Sequence, residues 1–172
     1  KDAGKRDLQL EARAHIEVQR WIDGGGLAGR AGTVEGIKEV HRRFCSLLPA
    51  DLLFVEDPAT MERVDIVPGE LRSRDVQVGR HLAISPPAVG RFLERFENVY
   101  AGLGKTETIL ATAAAHHRLV WIHPFPNGNG RHGRIAADYL IAALGGEPFS
   151  WGAGLAVDTD ELYARAATAR PA

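Results

Sequence analysis

The sequence predicts an all-α domain that contains one small β-hairpin, and three observations support this fold class. Apolar residues recur at helical spacing over most of the chain. One interval, residues 49–87, lacks this period and is rich in Val, Ile, Pro and Gly, with short alternating runs. The chain has 172 residues, of which 45% are hydrophobic and 25% charged, as in one globular domain. We therefore expect residues 1–172 to form a single domain, either a whole protein or a part excised from a longer chain.

Two amphipathic helices are predicted before the interval. The first covers residues 8–22 and ends at three consecutive glycines, residues 24–26. The second begins after Thr33, whose hydroxyl side chain is of the type that caps a helix N-terminus. It runs to Leu48, because Pro49 has no backbone N–H and breaks a helix.

Within the interval, two short runs alternate as strands do. Residues 64–67 and 76–78 carry β-branched side chains at alternate positions. Turn-forming residues lie between these runs, at residues 68–69 and 73–75. A small β-hairpin or an ordered loop is the structure that fits this pattern best.

Helical spacing returns after the interval. The predicted helices cover residues 89–101, 106–122, 135–144 and 161–169. The second of them is rich in Ala, which predicts a central position, and Thr106 is expected to cap it. The third ends at a pair of glycines, residues 145–146, which is a common helix exit.

Composition excludes several classes of function. The formal net charge is −1 at pH 7, so the chain lacks the broad basic field of a nucleic-acid-binding or membrane-surface protein. No apolar run reaches the length that spans a membrane. Cys45 is the only cysteine, which excludes an internal disulfide and suits a reducing compartment. We therefore expect a cytoplasmic protein with neither a nucleic-acid nor a membrane partner.

The most informative segment is residues 123–134, which read HPFPNGNGRHGR and precede an apolar helical run. Asn129 is a good helix cap, so the glycine-rich loop before that helix would present unpaired backbone N–H groups. Such a loop binds anions, because the helix dipole adds positive potential. Arg131 and Arg134 are three residues apart and share one helix face. With His123 beside the loop as a candidate base, the pattern indicates a site that handles phosphate groups.

Two nucleotide-binding patterns are alternatives. Residues 128–133 match the dinucleotide pattern G-x-G-x-x-G, which requires a strand directly before it. Here Pro124, Pro126 and an alanine-rich helix precede the pattern, and too few residues follow it for a doubly wound sheet. Residues 104–106 resemble the end of a P-loop, but Val99 stands where the first glycine is required. We interpret that segment as a turn between helices.

A zinc site is a third alternative, since His116 and His123 share a helix face and His117 is adjacent. No carboxylate or cysteine nearby completes a ligand set. We therefore expect His116 to pack or hydrogen-bond under the motif loop rather than to bind a metal.

The segment is similar to the signature of the Fic family, His-x-Phe-x-Asp/Glu-Gly-Asn-Gly-Arg-x-x-Arg. The matching positions are His123, Phe125, Gly128, Asn129, Gly130, Arg131 and Arg134, and Pro124 is also common in that family. Asn127 differs, because the family usually has an acid at this position. The match is long and has no gaps, so it is far more specific than a glycine pattern alone.

The interval before the motif resembles the flap of the same family. In that family the flap is a β-hairpin over the active site that pairs with the backbone of the target protein. The similar segments here are residues 68–72, 76–79 and 85–87. The residues that this resemblance assigns to target binding are Arg72, Ser73, Arg74, Asp75, Val76, Gln77 and Val78.

The resemblance implies the transfer of AMP from ATP to a Ser, Thr or Tyr hydroxyl of a target protein. It implies His123 as the general base and Arg134 as the ligand of the γ-phosphate. The residues implied to hold the α- and β-phosphates are Gly128, Asn129, Gly130 and Arg131. It also implies Mg²⁺, which Asn127 would bind only weakly because its amide oxygen is neutral. Two alternatives stay open: a nucleotide-binding regulatory module with little catalysis, and a transferase that uses another nucleotide or phosphate-containing donor.

Many Fic proteins are restrained by an inhibitory helix with the pattern Ser/Thr-x-x-x-Glu-Gly/Asn. Its Glu pairs with the second arginine of the motif, here Arg134. The closest match in this chain, residues 31–36, lacks the hydroxyl residue at its first position. We interpret Glu35 as an acid at a helix N-terminus instead. An inhibitory helix is therefore expected upstream of Lys1, on a small partner protein, or nowhere.

Overall fold

The computed structural model describes residues 3–30, 32–57 and 60–129. The α-helices in these ranges are α1 (Ala3–Asp23), α2 (Val34–Ser46), α3 (Val89–Tyr100) and α4 (Lys105–Ile122). Short 3₁₀ turns precede the first strand and α3, at Ala50–Leu52 and Pro86–Ala88. The mostly helical class and the helices predicted before the motif are confirmed. The helices predicted at residues 135–144 and 161–169 lie outside the described residues.

Helix α2 begins as predicted and ends two residues early. The hydroxyl oxygen of Thr33 accepts a hydrogen bond from Gly36 N at 2.9 Å, which satisfies one of the free N–H groups of the first turn. At the other end, Leu47 N donates to Phe44 O at 3.2 Å. This shorter-range bond tightens the last turn, so the helix ends at Ser46 before Leu48 is reached.

Helix α4 begins one residue before the predicted cap. Gly104 occupies the N-cap position, and its backbone N–H donates to the carboxylate of Glu107 at 2.9 Å. An acid in the first turn also complements the helix dipole. Thr106 is therefore inside the helix rather than at its cap.

A small β-hairpin is present as predicted, and the described residues contain a second one. Strand β1 (Phe54–Glu56) pairs with β2 (Arg63–Asp65), and β3 (Gln77–Val78) pairs with β4 (His81–Leu82), both antiparallel. Gly79 has a φ of 57° in the two-residue turn between β3 and β4, a conformation that glycine adopts easily. The two runs predicted as strands thus belong to different hairpins. Each pairs with its neighbour in sequence, where closing a short loop costs the least entropy.

Two hydrophobic clusters share helix α2. One joins α2 to α1 and to Ile66, which follows β2. The other joins α2, through Ile37, to α3 and α4, and it includes Phe125 of the motif, which is fully buried. Helix α2 therefore holds the motif segment against the centre of the domain. None of the helices in the described ranges is long and apolar enough to cross a membrane.

Candidate active site

The motif begins where α4 ends. His123 has φ 52° and ψ 62°, a left-handed conformation, and its backbone N–H donates to Leu119 O at 3.1 Å. This conformation ends the helix and turns the chain into the motif loop. For a residue with a Cβ atom it costs about 1–2 kcal/mol. The contacts around the turn must therefore stabilise it.

The ring of His123 is held in one tautomer. Its Nδ1 lies 2.9 Å from Val120 O, and a carbonyl oxygen only accepts, so Nδ1 carries the hydrogen. In the neutral ring, Nε2 then holds a lone pair. Burial lowers the pKa of His123, the bond to Val120 opposes this, and the charges of Arg72 and His81 lower the pKa further. The ring is therefore neutral at physiological pH, the state in which Nε2 can accept a proton.

Arg72, which the resemblance assigned to the target-binding flap, lies inside the protein and is only 4% exposed. Its Nε donates to His123 O at 2.7 Å, and Nη1 donates to Arg74 O at 2.9 Å. Its Nη2 donates to Ile84 O and lies 3.4 Å from Ile122 O. These carbonyls occupy most of the N–H groups of the guanidinium, so the described contacts of Arg72 are internal. Its role in target binding stays a prediction.

The other residues assigned to target binding lead from Arg72 into β3. Those that are exposed are Ser73, Arg74, Asp75, Gln77 and Val78, and Val76 is half-buried. The hairpin itself continues beyond them to β4. There, Nε2 of His81 donates to Trp121 O at 3.0 Å, which fastens the hairpin to the last turn of α4. The hairpin is thus anchored beside His123, and the role of its residues in target binding stays a prediction.

Asn129 closes the motif loop on itself. Its Oδ1 accepts from Phe125 N at 2.9 Å, and its Nδ2 donates to Phe125 O at 2.6 Å. Asn129 is buried and already helical. The carboxamide was predicted to cap the next helix, whereas its described bonds clamp the loop to the residue four positions before it. Gly128, with a φ of 78°, supplies the left-handed turn that brings the two residues together.

Asn127 is exposed, and its side chain turns back onto the loop. Its Oδ1 accepts from Gly128 N at 2.6 Å. One of the backbone N–H groups predicted to bind phosphate therefore already has a partner, which an anion would have to displace. Mg²⁺ is bound in proteins mainly by carboxylates, phosphates and water. A neutral amide oxygen that is engaged in a hydrogen bond does not fit this ion well.

His41 of α2 lies under the motif loop and was not predicted to take part in the site. It is 1% exposed, and its ring stacks on that of Phe125 at 3.8 Å with an interplanar angle of 2°. Its Nδ1 accepts from Gly69 N at 2.9 Å, and the ring also hydrogen-bonds the backbone of Asn127. His41 thus joins the motif loop to the turn that precedes the flap. The sequence carries one signal for this, because His41 shares the inward face of α2 with Ile37.

The surroundings of His41 keep it neutral. Burial lowers its pKa to about 4, and the hydrogen bond to Asn127 only partly opposes this. Cys45 Sγ lies 3.4 Å from Nε2 of the ring. Burial raises the pKa of this thiol to about 11, so Cys45 is a packed, unreactive side chain. The histidine that was expected to hydrogen-bond under the loop, His116, is half-buried on α4.

A cleft of about 430 Å³ opens between the first hairpin and the segment that leads to the second. Val55 and Val64 line it from the first hairpin, and Leu71 and Val76 line it from the segment. Pro126 of the motif loop also lines the cleft. It therefore connects the motif loop with the flap.

The alternative interpretations of the motif gain no support. The element before the motif is helix α4, and the sheets in the described ranges are two-stranded and antiparallel, so the parallel sheet of a dinucleotide-binding domain is absent there. Among the same residues, no three His, Cys, Asp or Glu side chains are grouped as metal ligands. Gly130, Arg131 and Arg134 lie outside the described residues, and their assignment to nucleotide binding stays a prediction.

Comparisons with known proteins agree with this geometry. A sequence model described as the Fic/DOC family matches residues 32–141. The protein adenylyltransferase Fic of Drosophila erecta is 32% identical to this chain over 119 residues, which are 67% of this chain and 21% of that protein. The protein of the same name from Drosophila melanogaster is 33% identical over 119 residues, with the same coverage. The chain thus spans about a fifth of the length of these relatives.

A solved structure supports the fold alone. The crystal structure of a Fic domain containing signaling protein from Bacteroides thetaiotaomicron aligns with a TM-score of 0.52 at 23% sequence identity. The alignment covers 78% of this chain and 48% of that chain. From the extent of the family match, the identity to the relatives and the helical fold with its hairpins, we conclude that this chain belongs to the Fic/DOC family.

Proposed function

We propose that this domain transfers AMP from ATP to a Ser, Thr or Tyr hydroxyl of a target protein. The observation that carries the proposal is the neutral ring of His123, whose Nδ1 hydrogen is bound by Val120 O and whose Nε2 can act as a base. The relatives named protein adenylyltransferase support the same reaction. Their names alone do not assign it to this chain, because the chain spans only about a fifth of their length.

In the proposed reaction, the target hydroxyl oxygen attacks the α-phosphorus of ATP. The bond from that phosphorus to the oxygen that bridges it to the β-phosphate breaks, and pyrophosphate leaves. Nε2 of His123 takes the hydroxyl proton, and AMP stays on the target through a new phosphoester bond. Positioning the two reactants and stabilising the developing charge supply the rest of the rate enhancement.

The phosphate ligands of this proposal come from the motif. Backbone N–H groups of residues 128–130 and the guanidinium of Arg131 would hold the α- and β-phosphates, and Arg134 would hold the γ-phosphate. An anion that displaces Oδ1 of Asn127 from Gly128 N would gain that N–H as a donor. The target would enter along the flap and the cleft beside Pro126.

Asn127 favours a second candidate function, a nucleotide-binding regulatory module with little catalysis. Asn127 carries no charge at the position where the family usually has an acid, and its Oδ1 already accepts a hydrogen bond from Gly128 N. If Mg²⁺ takes part, we propose that the phosphates of ATP hold it and that Asn127 adds little. A donor other than ATP is the remaining alternative within the transferase class.

Asn127→Asp is expected to raise the rate of AMP transfer and to lower the Mg²⁺ concentration at half-maximal rate by about tenfold, roughly 1.4 kcal/mol of added binding. The new side chain has nearly the same shape and adds an anionic oxygen of the kind that Mg²⁺ prefers. The measurement is transfer against Mg²⁺ concentration for both proteins. Asn98→Asp, which adds the same charge at an exposed site on α3, is the matched control. A loss of transfer in Asn127→Asp alone would mean that the site uses another donor or little metal.

Two labelled forms of ATP test the proposed function. With a cell lysate as the source of targets, label in the α-phosphate should appear on protein, and label in the γ-phosphate should not. Label from the γ-phosphate would instead show phosphoryl transfer. No labelling from ATP or from other nucleotides, together with measurable nucleotide binding, would establish the regulatory module.

We propose that any inhibitory helix lies outside the residues that the structure describes. Glu35 lies in the first turn of α2, where it is exposed and pairs with Lys38 at 3.4 Å. This is the role of a helix N-terminal acid that the sequence predicted. A small partner protein or a segment in cis remains the proposed source of an inhibitory glutamate for Arg134.

A further inference from the structure

We propose that Arg72 is a positioning residue that couples the flap hairpin, residues 77–82, to the catalytic turn at His123. This inference rests on the proposed transfer of AMP. The hairpin is where a target is expected to bind, and His123 is the proposed base. Arg72 touches neither target nor nucleotide in this proposal. It acts by holding the two structures in one relative position.

The hydrogen bonds of Arg72 join both ends of the hairpin to the end of α4. Arg74 precedes β3 and Ile84 follows β4, and the carbonyls of both accept from the guanidinium. The same group contacts the carbonyl of Ile122, which is the last residue of α4, and the carbonyl of His123, which forms the catalytic turn. One rigid planar group therefore fixes where the hairpin begins and ends relative to His123.

The backbone of Arg72 adds a further link. Its N–H donates to Pro124 O at 2.9 Å, so Arg72 bonds the residue after His123 as well as His123 itself. These bonds bracket the left-handed turn, which would otherwise be strained. The position of the His123 ring thus depends on Arg72.

The charge of Arg72 has a second effect. Within the described ranges its side-chain hydrogen bonds go to carbonyls, and the carboxylate whose charge acts on its guanidinium is that of Asp75. A cation at the C-terminus of α4 is favourable, because the helix dipole is negative there. The charged or titratable groups that act on the ring of His123 from the described elements are Arg72 and His81 of β4. Removing the charge of Arg72 should therefore let the pKa of His123 rise.

Two substitutions separate these effects. Arg72→Lys keeps the positive charge, but the Lys side chain has only one nitrogen, which cannot reach all four carbonyls. We expect kcat of transfer to fall by about 10²-fold, because an error of about 1 Å in position costs this much, with KM for ATP nearly unchanged. Arg72→Gln removes the charge but keeps a hydrogen-bond donor in the side-chain amide. We expect the same loss of kcat and a shift of the acid limb of the kcat/KM profile to higher pH, which Arg72→Lys should not show.

Hydrogen exchange gives a readout that does not depend on activity. Arg72→Lys should speed exchange at the amides of the hairpin and of residues 123–129 together, while amides of α1 and α2 keep their rates. Arg20→Lys, at an exposed ion pair on α1, is the control and should change nothing. Unchanged kcat in Arg72→Lys, or exchange that rises equally over the whole domain, would overturn the coupling. A wild-type protein that transfers nothing would refute the proposed function, and the exchange pattern would still decide for or against the coupling.

Discussion

Replacing His123 with Asn is expected to lower the rate of AMP transfer by about 10²–10⁴-fold, the usual cost of losing a general base. Nucleotide binding should be nearly unchanged, because the base acts on the target hydroxyl and adds little to phosphate affinity. The variant is measured by transfer of label from the α-phosphate of ATP and by direct titration with ATP. His123→Ala should lose activity to the same extent.

Asn is the informative substitution because it preserves the local structure. Asn tolerates the left-handed conformation that residue 123 adopts. Its amide nitrogen is placed much as Nδ1 is, so the bond to Val120 O can form, but there is no counterpart of Nε2. His117→Asn, which removes an exposed histidine from α4, is the matched control. Full transfer by His123→Asn would show that His123 serves the turn and not the chemistry.

The sequence was sufficient for features whose signal lies within one segment. The helices follow from apolar spacing, and the cap at Thr33 follows from its residue type and position. The motif is recognisable because His123, the glycines and the arginines lie within a dozen consecutive residues. His123 was therefore assigned a role before any contact was known, and its tautomer and its lowered pKa are compatible with that role.

Features that depend on distant contacts were missed. The burial of Arg72 was not predicted, because nothing near it in sequence shows that its partner, His123 O, lies 51 residues away. The same applies to His41, which meets Gly69 across 28 residues. The partners of the strands stayed open for a related reason: the alternation at residues 64–67 and 76–78 indicates strands but does not identify the strands with which they pair. Buried polar contacts between elements are fixed by packing, which a single sequence does not display.

His41 gives the last prediction: the domain should lose about 3 kcal/mol of unfolding free energy between pH 6.5 and pH 4 through this one side chain. Burial lowers the pKa of His41 in the folded protein to about 4, whereas the unfolded chain titrates near 6.5. Between these values the unfolded state binds more protons, so the contribution is complete above pH 6.5 and is lost as the pH falls. A proton on Nδ1 would also point a donor at Gly69 N–H, which now donates to that nitrogen.

Urea unfolding of wild type and His41→Gln at pH 7 and pH 4.5 isolates this effect. Gln does not titrate, so between pH 7 and pH 4.5 the variant should lose less free energy of unfolding than wild type, and the two stabilities should converge. His117→Gln, at an exposed site on α4, should follow the wild-type pH dependence. If wild type and His41→Gln lose the same free energy on acidification, His41 is not the residue that titrates. If the free energies of unfolding of wild type and His41→Gln converge at low pH, His41 stabilises the domain only in its neutral form. Because His41 stacks on Phe125 beneath the motif loop, the stability of that loop would then depend on a neutral histidine.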